Sequence, residues 1–443
     1  MSNRGRWQRL KSTAHVANVA ARIAARKMTR RKEGERDREL GEELALELDQ
    51  MKGMAMKVGQ IMSYFDGVLP EPAHRALTIL QRGSFAVPFT AMSAVVEEAF
   101  GAPPEALFDS FEQAPVASAS IGQVYRAIWK GAPVAVKIQY PSVRTTIDAD
   151  FSRLTALSRL ATLGAAVDGP AIVNELRSTF VSECDYLLEG ENQNAFAAAF
   201  RERDDVFVPR ALLERTRATV LTTAWCDGSS FEEFLRAATT AQKQTMAGRL
   251  ARFAHESFFV LACINADPHP GNYIFPADGR LALIDFGCVR HFDPSFVAAE
   301  RRLVGVVIND RKHQFEDAMR RTGMLSGTSG FDFDLHWRML RHQWEPYCSD
   351  NYRITSEYVR KAMAFTGPSN PNLRRLRIPP PWVWLQRLQW GLHSVLARLD
   401  VDVRYRDVLC DVLERPARPI DSYATGGAIG SVSDQGAPAD EGG

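Results

Sequence analysis

The chain has 443 residues, 45% of them hydrophobic and 24% charged, with a formal net charge of +1. That composition supplies apolar material for two or three packed units and excludes bulk disorder. No nucleic-acid partner is expected.

Charge is unevenly placed. Residues 1–32 carry arginine and lysine from Arg4 to Lys32 and no acid, so an anionic partner suits this segment. Within it Val16, Val19, Ala20 and Ile23 fall at helical spacing. The pattern predicts an amphipathic helix on an anionic membrane surface, with a solvated or docked basic arm as the equal alternative. No apolar core of signal-peptide type follows, and the best apolar run, 258–264, is far too short for a bilayer span. The six cysteines, Cys184, Cys226, Cys263, Cys288, Cys348 and Cys410, form no CxxC pair and read as reduced thiols. The expected location is cytoplasmic, with peripheral membrane association open.

A mixed-charge stretch at 35–49 leads into further helical pattern. The run from Thr90 to Phe100, then Gly101 and Ala102-Pro103-Pro104, starts and stops like a helix and marks a domain edge. Texture then changes. Runs at 123–128 and 134–138 flank Lys130-Gly131, which predicts a β-hairpin. Helices are expected over 141–163 and 170–200, followed by a strand at 218–225. Met246, Leu250, Phe253 and Phe258 predict a buried helix over 241–264. A loop starts at Asn265, and short strands at 273–275 and 281–284 bracket the turn Ala277-Asp278-Gly279-Arg280. Helices fill most of the remainder. Trp382, Trp384 and Trp390, with Leu385, Leu388 and Leu392, are read as core packing rather than as a lipid-binding face.

The strongest chemical signal is Asp267-Pro268-His269-Pro270-Gly271-Asn272 followed by Leu283-Ile284-Asp285-Phe286-Gly287. Phosphoryl transfer requires one carboxylate near the acceptor, and a carboxylate plus an amide oxygen to hold magnesium against phosphates. Asp267 and Asn272, spaced D-x-x-x-x-N, supply the first carboxylate and the amide; Asp285, leaving a strand, supplies the second carboxylate. Either piece alone is ordinary turn chemistry, so the weight lies in their order, separation and strand context. His269, between two prolines, is expected to orient the loop. Upstream, Val134-Ala135-Val136-Lys137 fits a strand lysine that meets ATP phosphates. Its partner should be an acid on the next major helix, and among Glu183, Asp185, Glu189 and Glu191 the leading candidate is Glu189. A glycine-rich loop is missing, because the corresponding stretch is Ala117-Ser118-Ala119-Ser120-Ile121-Gly122-Gln123-Val124.

Taken together, residues from about 52 to 290 resemble the UbiB/AarF family of atypical protein-kinase-like proteins. Lys57-Val58-Gly59-Gln60 fits its KxGQ signature, 117–124 its alanine-rich loop, and Glu183-Cys184-Asp185 its ExD motif, with Glu189 where the helix glutamate belongs. The resemblance implies an α+β, two-lobed protein-kinase-like fold with an N-terminal helical extension packed over the cleft. It implies ATP and Mg2+ as cofactors, with Ala117, Ser118, Ala119, Ser120, Gly122, Val124 and Lys137 at the nucleotide, and Asn272 and Asp285 at the metal. Asp267, Lys137 and Glu189 become the catalytic set. Lys57, Gln60, Glu183 and Asp185 gate the cleft, a pairing in which each buried charge offsets the desolvation of the other.

The corresponding domains are 1–50, a basic and mixed-charge helical arm; 51–101, the KxGQ extension; 102–226, the kinase-like N-lobe; 227–415, the helical C-lobe; and 416–443, a disordered tail. The implied role is an ATPase or kinase supporting isoprenoid-quinone or lipid-linked metabolism, with a lipid or isoprenoid ligand and a homodimer both open. A nucleotide-gated lipid-binding scaffold and a small-molecule phosphotransferase are the alternatives. Departures occur at 80–85, where the family is often acidic and proline-rich, and in the lobe linker Ala224-Trp225-Cys226-Asp227-Gly228. The paired C-terminal membrane hairpin of some bacterial relatives is also missing from the pattern.

Overall fold

The computed structural model describes residues 87–119, 121–141, 184–325, 329–365, 370–376 and 380–421, with Thr155, Arg177 and Val181. The basic arm, Lys57, Gln60, Ser120, Glu183, most of 141–163 and of 170–183, and the tail beyond Asp421 lie outside these residues.

One core forms on an antiparallel sheet of β1 (Ser110–Phe111), β2 (Ala117–Ala119), β3 (Gly122–Trp129), β4 (Ala132–Gln139) and β6 (Val220–Ala224). The order is β1-β3-β4-β6, with β2 also paired to β3. The β3–β4 turn uses Lys130 and Gly131, both at positive φ (50° and 75°), the twist that a two-residue hairpin requires. In β4 the two-residue alternation turns Val134, Val136 and Ile138 inward against Met92 and Val96 of helix α1 (Phe89–Phe100). Lys137 therefore takes the opposite face. A single helical turn, α2 (Pro104–Leu107), leads from α1 into β1.

Helix α3 (Tyr186–Ala199) starts on Asp185, whose carboxylate accepts from the backbone N–H groups of Leu187 and Leu188. Tyr186, Glu189, Gly190, Gln193 and Phe196 form its buried stripe, at the i, i+3, i+4, i+7 spacing of one helix face. Gly190 lets the helix approach the sheet: a Cβ there would lie 3.2 Å from Leu213 and 3.3 Å from Leu221.

The larger core fills the second lobe. Its strands are β5 (Val206–Phe207), β7 (Ser229–Ser230), β9 (Tyr273–Phe275) and β10 (Leu281–Leu283), ordered β5-β10-β9-β7, beside a ribbon of β8 (Cys263–Asn265) and β11 (Val289–His291). Helices α4 (Phe231–Ala237) and α5 (Thr240–Phe259) both open with capping boxes, Ser230 with Glu233 and Thr239 with Gln242. The apolar period had carried the expected helix on to residue 264, but α5 stops five residues earlier. Ala262 turns left-handed (φ 51°), its carbonyl accepting from the Phe292 N–H, and 263–265 then pair with 289–291. Local periodicity could not distinguish this buried strand from a continuing helix.

The remaining helices are α6 (Pro294–Ile308), α7 (Phe315–Arg321), α8 (Phe333–Gln343), α9 (Ser356–Ala364), α10 (Pro380–Leu399) and α11 (Tyr405–Glu414), with a ribbon of β12 (Tyr352–Arg353) and β13 (Asp402–Val403). The result is an α+β, kinase-like fold with a sheet-rich lobe and a mainly helical lobe. All six cysteines are free thiols, and among the described residues no helix is long and apolar enough to cross a membrane. Leu385, Leu388 and Leu392 are buried in the core, and Trp382 and Trp384 pack partly against it.

A polar network lies within this core. His255 Nε2 is 2.8 Å from the Tyr347 hydroxyl, which is 3.4 Å from His393 Nε2; His393 Nδ1 is 3.4 Å from the Tyr358 hydroxyl. Burial holds both imidazoles down at about 3. The unfolded chain takes up protons on these groups below about pH 6.5, whereas the folded chain refuses them. Their stabilisation is thus complete above that pH and is lost as pH falls toward 3. Each contributes a slope of about 1.4 kcal/mol per pH unit. Denaturant unfolding of His393→Gln between about pH 6 and pH 4 should show a shallower acid loss than wild type by about one such slope; equal slopes would contradict it.

Candidate functional site

Strand β4 presents Lys137 to the space between the lobes, where its Nζ donates to Glu189 Oε1 at 2.9 Å and Oε2 at 3.1 Å, and to Asp285 Oδ2 at 3.0 Å. The Lys137 and Glu189 side chains are 15% and 1% exposed, against 31% for Asp285, so the pair is shielded while Asp285 faces outward. Glu189 occupies the inward stripe of α3 and Glu191 lies exposed, so the helix period singles out Glu189.

Burial works against the Lys137 ammonium, but Asp285 and Glu189 outweigh it and hold its pKa well above the usual value. Burial lifts Glu189 to about 7 against the pull of Lys137, and Asp285 adds to the rise; a backbone hydrogen bond from Phe286 opposes it. Two carboxylates around one ammonium leave excess negative charge, the environment a divalent cation relieves. The Tyr186 ring lies 4.9 Å from Lys137 Nζ and adds a cation–π contact. Its fully buried hydroxyl has no hydrogen-bond partner among the described residues.

The second cluster is built by a short turn. After β8, the Asp267 N–H donates to Asn265 Oδ1 and the His269 N–H to the Asp267 carbonyl. A 3-10 turn, Pro270–Asn272, follows; His269 Nδ1 accepts from the Gly271 N–H at 3.0 Å, so the histidine orients the loop as its position between prolines suggested. Asn272 Nδ2 donates to the Asp267 carbonyl at 2.9 Å and to Asp267 Oδ2 at 3.2 Å. Asp267 Oδ1 accepts from Arg387 Nη2 of α10 at 2.9 Å.

Strand pairing then returns the chain. Leu283 opposes Tyr273, and the Ile284 N–H donates to the Asn272 carbonyl, which brings Asp285 beside that turn. Asn265 Nδ2 donates to the Asp285 carbonyl at 2.6 Å, so one asparagine holds both segments. Asp285 Oδ1 accepts from the Gly287 N–H, and the buried Phe286 ring lies 4.9 Å from Phe196 of α3.

The oxygen donors fit magnesium. With Asn272 Nδ2 engaged by Asp267, its Oδ1 is the atom available to a cation, and Asp285 adds a carboxylate. Among the described residues no three His, Cys, Asp or Glu side chains form a cage. Magnesium needs none, because it usually takes one or two carboxylates and completes its shell with water and phosphate.

The alanine-rich stretch is a tight β2–β3 hairpin, with Ala119 opposite Gly122 and Ala117 opposite Val124. Its one glycine is obligatory: a Cβ on Gly122 would lie 2.2 Å from the Ile138 carbonyl oxygen. Ala117, Ser118, Ala119, Gly122 and Val124 thus sit at the end of the sheet that carries Lys137, whereas Ser120 is not described. Asp185 caps α3; Glu183, Lys57 and Gln60 lie outside the described residues. Sequence reading missed Asn265, Tyr186 and Arg387. Asn265 had a detectable signal, an Asx-turn position two residues before Asp267; Arg387, 120 residues from its partner, had none.

Residues 79–318, more than half of the chain, match the ABC1 atypical kinase-like domain. The chain is 28% identical over 370 residues to "Atypical kinase COQ8, mitochondrial" of Saccharomyces cerevisiae, covering 80% of this chain and 72% of that protein. It is 29% identical over 372 residues to "Atypical kinase coq-8, mitochondrial" of Caenorhabditis elegans, covering 80% of this chain but about half (48%) of that one. Among solved structures, the Rv3197–erythromycin complex from Mycobacterium tuberculosis is similar with a TM-score of 0.64 and 28% identity, over 89% of this chain and 100% of that one. On these matches the chain belongs to the ABC1, or UbiB/AarF, family of atypical kinase-like proteins.

Proposed function

We propose that this chain binds MgATP between its lobes and uses it as an atypical kinase or ATPase, in support of isoprenoid-quinone or lipid-linked metabolism. The observation that carries the nucleotide reading is the contact of one lysine with both Glu189 and Asp285, beside a turn that joins Asp267 to Asn272. The pathway rests on the family resemblance.

In this reading Lys137 meets the phosphates and Glu189 aims it. The β2–β3 hairpin covers them, with alanines where bare glycine backbone is usual. Asn272 and Asp285 would hold magnesium, which supplies charge neutralisation at the phosphates. Asp267 orients the acceptor oxygen, of water or of a small polar molecule, and accepts its proton.

The family resemblance alone assigns a gate to Lys57, Gln60, Glu183 and Asp185, of which only Asp185 lies among the described residues, where it caps α3; such a gate would suit a small acceptor better than a peptide. A nucleotide-gated scaffold would bind MgATP without turnover, and a small-molecule phosphotransferase would yield a phosphorylated metabolite.

Saturating MgATP, at about 100-fold above Kd, should stabilise the wild type by about 2.7 kcal/mol in thermal unfolding. Asp285→Asn should lose most of that gain, and an undiminished shift would remove the proposed site. Asp267→Asn should retain the shift yet release phosphate about 100-fold more slowly or worse, measured with and without anionic liposomes. Turnover by Asp267→Asn at the wild-type rate would reassign that residue. For the gate, Lys57→Ala should raise phosphate release, and an identical rate would dismiss it.

A further inference from the structure

Helix α10 lies beyond the family-matched segment, yet two of its residues contact the Asp267-Pro268 turn. Its residues 384, 387 and 391 share one face. At 387, the guanidinium reaches Asp267 Oδ1 at 2.9 Å, with side chains only 9% and 16% exposed. At 391, bare glycine backbone packs on the next residue of the same turn: a Cβ on Gly391 would lie 2.3 Å from Pro268 Cγ. At 384, the indole carries Arg290, 4.2 Å from its centroid and just beyond the Asp285-Phe286-Gly287 segment, and also lies 5.8 Å from the Arg387 guanidinium. The adjoining side of α10 is fixed in the core through Leu385, Leu388, Leu392 and Leu396.

We propose that Arg387 is a positioning residue for Asp267, and that α10 is a rigid brace that sets the acceptor end of the site. The inference rests on the nucleotide reading above and adds to it the element that aims its acceptor carboxylate. Asp267 is held through both oxygens, Oδ1 by Arg387 and Oδ2 by Asn272. Rotation of the carboxylate would sacrifice one of these charge-assisted hydrogen bonds. Burial of the ion pair and the glycine–proline contact beside it make this a fixture, not a contact that opens during turnover. A lysine would restore the charge but not the planar fork that fixes direction.

The test uses the full chain and compares Arg387→Gln, Arg387→Lys, Arg387→Ala and Asp267→Asn. MgATP affinity is read with a fluorescent nucleotide, and turnover by phosphate release. Arg387→Gln should lower kcat about tenfold or more with affinity unchanged, a separation that misplacement of one group produces and general unfolding does not. Arg387→Lys should recover part of the loss. Millimolar guanidinium should restore turnover to Arg387→Ala but not to Asp267→Asn, which keeps the test decisive where a neutral substitution weakens folding. Wild-type or faster turnover in Arg387→Gln, or equal loss of affinity and rate with no rescue, overturns the proposal. Turnover that depends on Asp267 but not on Arg387 overturns this inference alone; a wild type without MgATP-dependent turnover overturns it together with the catalytic reading.

Discussion

The Lys137 ammonium joins the two lobes, since Glu189 comes from α3 of the sheet-rich lobe and Asp285 from the loop after β10 in the helical one. Withdrawing such charges from water costs several kcal/mol per ion, and breaking a buried pair by deleting one partner typically costs about 3–5 kcal/mol. The cluster is therefore a geometric demand on everything around it. Helix α3 must present Glu189 inward, which its Asp185 cap and Gly190 contact allow, and β4 must keep its register so that Lys137 stands opposite the apolar face. Phe286 reinforces this. Its ring packs on Phe196, which lies 6.1 Å from Phe253 of α5, so helix, loop and second-lobe core share one aromatic seam.

A second constraint is the way the polar loops are tied. Asn265 accepts from Asp267 and donates to Asp285, while the β9–β10 pairing fixes Asn272 against Ile284. Hydrogen bonds of this kind leave little freedom for one loop to move without the other, and so the Asp267 carboxylate and the side-chain oxygens of Asn272 and Asp285 form one unit. The proposed phosphoryl transfer would need such rigidity, because positioning carries most of the catalytic work in that chemistry.

Most of this arrangement was legible in the sequence wherever the deciding physics is local. Alternation in Val134-Ala135-Val136-Lys137 and the Lys130-Gly131 turn specify the hairpin, and the spacing of Asp267, Asn272 and Asp285 identifies the polar loops. The choice of Glu189 over Glu191 rests on the family resemblance, because the apolar pattern of α3 is weak and its Leu187 and Leu188 face outward. What escaped depends on contacts between distant segments: the end of α5, where the Cys263–Asn265 strand is recruited by 289–291, and the Arg387–Asp267 pair. The stripe carrying Arg387 was read as core packing, which is correct for Leu385, Leu388 and Leu392 but hides a second face that packs on Asp267 and Pro268.

The Gly391–Pro268 packing also bears on the order in which the molecule becomes whole. Chains emerge from the ribosome at about 5–20 residues per second, N-terminal portion first. Lys137, Glu189, Asp267 and Asp285 are thus all exposed long before their last support is synthesised. The nascent polypeptide has the Lys137, Glu189 and Asp285 side chains but no α10 contact beneath Asp267 until more than a hundred further residues have been added, so completion of the Asp267 turn must be among the last steps in its maturation.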